Sequence, residues 1–142
     1  MNKTILVIGA SGGIGTQVVK DLLTEGYSVI GTYSNTTLDI PNVTSYHLDL
    51  LSNDSIKEFV TKIGNIPIYG VVNCAGIVEY EGNSIEEDIE IWNKTIQINL
   101  TSNFVLDKYV ESKIETGGRF LMISSTDAMY GSPITASYSA SK

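Results

Sequence analysis

The sequence predicts a doubly wound α/β domain, a single parallel sheet with helices on both faces. Three observations lead there. Short β-branched runs alternate with stretches of helical period along the chain. The first such run passes through a glycine-rich turn directly into the first helical stretch. The composition, 42% hydrophobic and 18% charged over 142 residues, supplies one core for one domain. Right-handed crossovers, with the chain reversing after the third strand, order the strands 3-2-1-4-5.

The elements follow in order. Thr4 to Ile8 is a buried strand, and Gly9 to Gly15 is the turn. Ile14, Val18, Leu22 and Leu23 recur at helical spacing as far as Glu25, where Gly26 is a stop signal. Tyr27 to Thr32 is the second strand, Ser34 to Pro41 a polar loop, and Thr44 to Leu48 the third strand. Ser52 or Asn53 caps a helix running to about Ile63. Ile68 to Asn73 is the fourth strand, followed by a loop over Glu79 to Ser84. A long helix is expected from about Glu86 to Ile114, broken near its start and ended by Gly117 and Gly118. Arg119 to Ser124 is the fifth strand, and a last helix starts near Thr135 and carries Tyr138 and Lys142. No repeat is visible.

Charge and residue counts exclude several classes. A net charge of −7 argues against nucleic acid or an anionic membrane as the main partner. Cys74 is the only cysteine, which excludes an internal disulfide and any multi-cysteine metal site; no metal is expected. His47 is the only histidine, so Ser-His-Asp catalysis would have to run through it; between Tyr46 and Leu48 it reads as structural. The apolar run Ile5 to Ala10 behind Lys3 is too short for a signal peptide, and no run approaches a membrane span. The chain reads as cytoplasmic.

Gly9-Ala10-Ser11-Gly12-Gly13-Ile14-Gly15 joins strand one to helix one. Glycines there permit positive φ and close approach of a phosphate to the backbone. The free N–H groups and positive dipole end of the helix then face a pyrophosphate. A flexible βα loop is the plain alternative; placement within a βαβ unit favours a Rossmann-like dinucleotide site. Ser11, Gly12 and Ile14 belong to that cradle with the glycines. The spacing G-x-x-x-G-x-G of Gly9, Gly13 and Gly15 resembles the T-G-x-x-x-G-x-G of the short-chain dehydrogenase/reductase family, with Ile8 where the family has Thr.

The stretch after strand two decides which nicotinamide is expected. An acid about 20 residues past the turn would hold a ribose hydroxyl and favour NAD. Here the stretch is Thr32-Tyr33-Ser34-Asn35-Thr36, and no acid appears until Asp39. Thr32, Ser34 and Asn35 offer hydrogen bonds and no repelling carboxylate, which favours NADP over NAD.

The resemblance implies further site residues. Asp49, followed by Leu50, matches the family's acid that contacts the adenine amine. Asn73-Cys74-Ala75-Gly76 is similar to the family's N-N-A-G, where Asn73, Ala75 and Gly76 let the cofactor ribose lie close. Cys74 reads as a small buried filler rather than a nucleophile.

Tyr138 and Lys142 lie four apart, on one helix face. An ammonium beside a phenol stabilises phenolate, so such a Tyr can exchange a proton with a substrate oxygen. The motif alone is weak, since Tyr109 and Lys113 share the spacing in what reads as ordinary helix surface. Ser125 precedes Tyr138 by thirteen residues, the family's spacing between catalytic Ser and Tyr, and is preferred over Ser124. Asn99 sits mid-helix, where Asn is a poor choice and invites explanation. The family places an Asn there to hold a water linked to the Lys.

The resemblance covers essentially the whole chain and is greatest to 3-oxoacyl-acyl-carrier-protein reductases. It implies hydride transfer between NADP(H) and a small carbonyl or alcohol substrate, including a 3-oxoacyl thioester, by Asn99, Ser125, Tyr138 and Lys142. Tyr138 and Lys142 would also touch the cofactor. It implies too that residues 1–142 form one dinucleotide-binding domain belonging to a longer polypeptide, without the family's usual C-terminal strands, and a homodimer or homotetramer at full length. Two alternatives stay open: a non-catalytic dinucleotide-binding module, and a nucleotide-sugar epimerase or dehydratase that shares the Tyr/Lys pair.

Overall fold

A computed structural model of the chain describes residues 3–79 and 88–142. Five parallel strands, β1 (Thr4–Ile8), β2 (Ser28–Tyr33), β3 (Val43–His47), β4 (Ile68–Asn73) and β5 (Ile114–Met122), form one sheet. Their order is β3-β2-β1-β4-β5, as the sequence predicts. The helices are α1 (Gly13–Thr24), α2 (Asn53–Lys62), α3 (Ile89–Ile96), α4 (Ser102–Val110), α5 (Asp127–Tyr130) and α6 (Ala136–Ser141).

Strand alternation sorts β1 onto two faces. Leu6 and Ile8 join Ile30, Ile56, Phe59, Val71 and Leu106 in one apolar cluster, built with α2 and α4. Ile5 and Val7 join Val19 of α1 and Val29 in the other. Truncating a fully buried side chain of the size of Phe59 costs about 3–5 kcal/mol. None of the described helices is long and apolar enough to cross a membrane.

Three expectations need correction. The expected helix over 86–114 is three pieces: α3, a π-helical turn Gln97–Thr101, and α4, followed by a 3₁₀ turn Glu111–Lys113. Among the described residues the interruption lies in the middle, where one extra residue is inserted around Asn99. Asp88 caps α3 by accepting from the Glu90 N–H at 2.7 Å; the expected start at Glu86, like most of the Glu79–Ser84 loop, lies outside the described residues. Second, β5 begins at Ile114 rather than Arg119, because its register against β4 shifts between the Ile68–Ile114 and Gly70–Arg119 pairs. Gly117, at φ +84°, and Gly118 sit inside that irregular segment instead of ending a helix. Third, the short helix α5 follows Ser125, where only loop was expected.

Ser52, not Asn53, caps α2: its Oγ accepts from the Ser55 N–H at 3.1 Å. The last helix stops at Ser141, so Lys142 is its C-cap.

Candidate active site

The glycine turn is shaped by close approaches. Gly9 has φ +71°, and a Cβ on it would stand 2.8 Å from the Ala75 nitrogen. A Cβ on Gly15 would lie 2.1 Å from the Gly9 carbonyl oxygen. No side chain larger than hydrogen fits at either position without moving backbone. Gly13 differs: a Cβ there would meet nothing within 4 Å. Its space faces outward at the first residue of α1, whose N-cap Gly12 offers no side-chain acceptor. The first-turn N–H groups are therefore left for an external anion.

Thr32, 1% exposed, holds the turn to β2. Its Oγ1 accepts from the Gly9 N–H at 3.1 Å and its carbonyl from the Ala10 N–H at 2.8 Å. The hydroxyl expected to meet a ribose phosphate thus has a structural bond as well.

The turn opens into a cleft of about 740 Å³ at the carboxyl ends of the strands. Among the expected residues, Gly9, Ser11, Gly12, Thr32, Ser34, Asp49, Leu50, Ala75 and Gly76 line it. Asp49 accepts from the Leu51 N–H at 2.9 Å through one carboxylate oxygen. Glu79, the other acid lining the cleft among the described residues, pairs with Lys94. No carboxylate follows β2 directly: Tyr33, Ser34, Asn35 and Thr36 form that wall. Asn73 turns away from the cleft, bonding Asn103 and accepting from the Ala75 N–H at 2.9 Å. Cys74 lines the cleft half-buried, and burial pushes its thiol up against the opposing influence of Lys142. A thiol held protonated is a poor nucleophile, in keeping with a filler.

Ala75 lines both this cleft and a second pocket of about 360 Å³, which reaches Asn99, Ser141 and Lys142. Of the catalytic candidates, Asn99 and Lys142 line it, and Ser125 and Tyr138 do not. Asn99, 3% exposed and at the centre of the π turn, is fully engaged. Its Oδ1 accepts from the Ile77 N–H at 2.8 Å, and its Nδ2 donates to the Ile77 carbonyl at 2.8 Å and to Ser141 Oγ at 3.0 Å. The π turn is what aims an otherwise unfavourable helix residue at the loop after β4. A Cβ on Gly76 would lie 3.3 Å from Asn99 Oδ1 and 3.4 Å from Lys142 Nζ, so these groups converge on one point.

Lys142 Nζ donates to the Ile123 carbonyl at 2.6 Å and stands 5.8 Å from the centre of the Tyr138 ring. Burial holds its ammonium below the usual lysine range, with Cys74 pulling the other way. Ser124 Oγ donates to the Lys142 carbonyl at 3.0 Å, and the Lys142 N–H to the Tyr138 carbonyl at 3.1 Å. Ser124 is therefore the fastener of the helix end. Half-buried Ser125 accepts from the Asp127 N–H at 3.2 Å and keeps its own O–H to give.

Two residues were missed from sequence. Ser141, 6% exposed, ties Asn99 to α6, accepting from its Nδ2 and donating to the Tyr138 carbonyl at 2.9 Å. Its position three after Tyr138 was the available signal. His47 lies at the exposed carboxyl end of β3 and lines the cleft rather than packing in the core. Ligands of open α/β sheets bind at that edge, and this was its signal.

Comparison with known proteins gives a consistent answer. The short chain dehydrogenase family model matches residues 3–142. A 3-oxoacyl-acyl-carrier-protein reductase of Rickettsia felis is 31% identical over 99% of this chain and 61% of its own length. A short chain dehydrogenase family protein from Francisella tularensis superposes with a TM-score of 0.92 at 26% identity, over 100% of this chain and 59% of that one. BdcA, solved in complex with NADPH, does so at 0.85 and 26%, over 99% of this chain and 59% of that one. The chain thus spans about six tenths of the length of these relatives. From its turn, its strand ends and a family match running from Lys3 to Lys142, the chain belongs to the short chain dehydrogenases.

Proposed function

We propose that the chain is the cofactor-binding and catalytic part of an NADP(H)-dependent reductase of carbonyl compounds, with 3-oxoacyl thioesters as the substrate class. The observation that carries this is the convergence of Gly76, Asn99 and Lys142 beside Tyr138, at the end of a cleft floored by an uncapped helix. NADP suits these residues: the first turn of α1 at Gly13 has open space beside it, and the wall after β2 has no acid to repel a 2′-phosphate. The NADPH bound to BdcA supports the choice of cofactor, and the rickettsial relative the choice of substrate class.

Gly9–Gly15 and Ala75–Gly76 would hold the cofactor, which in its reduced form, NADPH, would supply the hydride for the substrate carbon and leave as NADP⁺. Everything else falls to side chains. The Ser125 O–H donates to the carbonyl oxygen and stabilises the charge developing there. The Tyr138 phenol delivers the proton to that oxygen. Lys142 favours the phenolate left behind, and Asn99 with Ser141 hold the helix and the Gly76–Ile77 loop in register.

Tyr138→Phe in the full-length protein tests the assignment. Turnover of a 3-oxoacyl thioester with NADPH should fall by about 10²- to 10⁴-fold while NADPH affinity stays within about twofold. Near-normal turnover would sink it.

A further inference from the structure

The site as described leaves one feature unused: a lone histidine on the wall of the cleft where the adenosine end would lie. Resting on the NADP reading, we propose that His47 is the cationic contact for the 2′-phosphate of NADP, and so a determinant of cofactor specificity.

His47 pairs in register with Tyr33, the residue before Ser34, and adjacent strands stand about 4.8 Å apart. The imidazole is exposed, lines the cleft, and meets the Tyr33 ring edge-on at 5.9 Å between centroids. Ser34, Asn35 and Thr36 beside it supply hydroxyl and amide groups but no charge. Among the described residues, Lys94 is the other cleft-lining side chain that can be cationic, and Glu79 already pairs with it. A phosphate seated on this wall therefore finds its charge partner at His47.

The other charged groups around the ring leave that role open. Glu58 of α2 senses His47, yet its carboxylate is bridged by Lys62 at 2.8 Å, which holds it below the usual range. Asp49, two residues on, turns one oxygen to the Leu51 N–H.

The test is titration of the intact protein with NADPH and with NADH, followed by cofactor fluorescence, at about pH 6. Wild type, His47→Gln and His47→Lys are compared. His47→Gln should weaken NADPH about three- to tenfold. NADH should stay within about twofold. His47→Lys, which keeps a cation at the position, should bind NADPH at least as tightly as wild type. The proposal is overturned if NADPH is preferred yet His47→Gln leaves it unchanged, or if both cofactors weaken alike. Wild-type protein binding NADH at least about tenfold tighter would instead overturn the NADP reading beneath it.

Discussion

At the end of β1, the Gly9–Gly15 turn is closed by backbone: Gly9 and Ala10 bond Thr32, Gly15 abuts the Gly9 carbonyl, and Ala75 covers Gly9. At the end of β5 the same sheet is open. Phe120, Leu121 and Met122 are 40%, 50% and 46% exposed, and a few side-chain bonds from Ser124, Lys142 and Asn99 hold α6. The two regions teach different things about how a site is made. The dinucleotide floor is a steric construction, fixed wherever a Cβ would collide. The β5 end is a hydrogen-bonded construction, fixed by polar groups that each have a specific partner.

Substitutions should therefore fail differently in the two regions. Gly15→Ala places a methyl where the Gly9 oxygen stands and should cost about 3 kcal/mol or more in urea unfolding; a loss under about 1 kcal/mol would break the steric account of the floor. Asn99→Ala removes three bonds from a buried amide and strands the Ile77 backbone, for a loss of about 2–3 kcal/mol. Circular dichroism should still report a folded sheet, since β1, β2 and β4 do not lean on that amide.

The smallest effect sharpens the contrast by its sign. Burial pushes the Asp107 carboxyl of α4 up to about 6. The folded chain then holds a proton that the unfolded chain has lost, so stability is full below about pH 4 and declines as pH rises through about 6. Asp107→Asn should be more stable than wild type above that window, by up to about 1 kcal/mol once solvent screening of a half-exposed group is counted. The two should coincide near pH 4, and paired urea melts at the two pH values read the difference.

The steric region was the more legible in sequence. β4 begins and ends where its apolar run does, and β1 likewise, because β-branched residues bounded by Gly or Asn leave little choice. The turn announced itself by three glycines at fixed spacing. The hydrogen-bonded region was harder. Helical period runs through α3 and α4 without showing the extra residue between them, and only the oddity of Asn99 marked the place. Gly117 and Gly118 read as a helix stop because nothing local distinguishes a stop from a strand irregularity. The four residues of α5 are too few to display a period. His47 was weighed as a triad base or a structural residue, and its place at the cleft follows from strand register, which the sequence leaves implicit.

The central claim is that the uncapped start of α1 receives the pyrophosphate of the dinucleotide, and Gly13 isolates it. Gly13→Ala adds a methyl that touches nothing in the protein, at the first residue of the helix whose free N–H groups would face the phosphates. NADPH titration of the intact protein, beside its urea unfolding curve, reads both consequences. Stability should be unchanged or up to about 1 kcal/mol higher, while NADPH affinity falls by at least about tenfold. Wild-type affinity in the folded variant would contradict the claim.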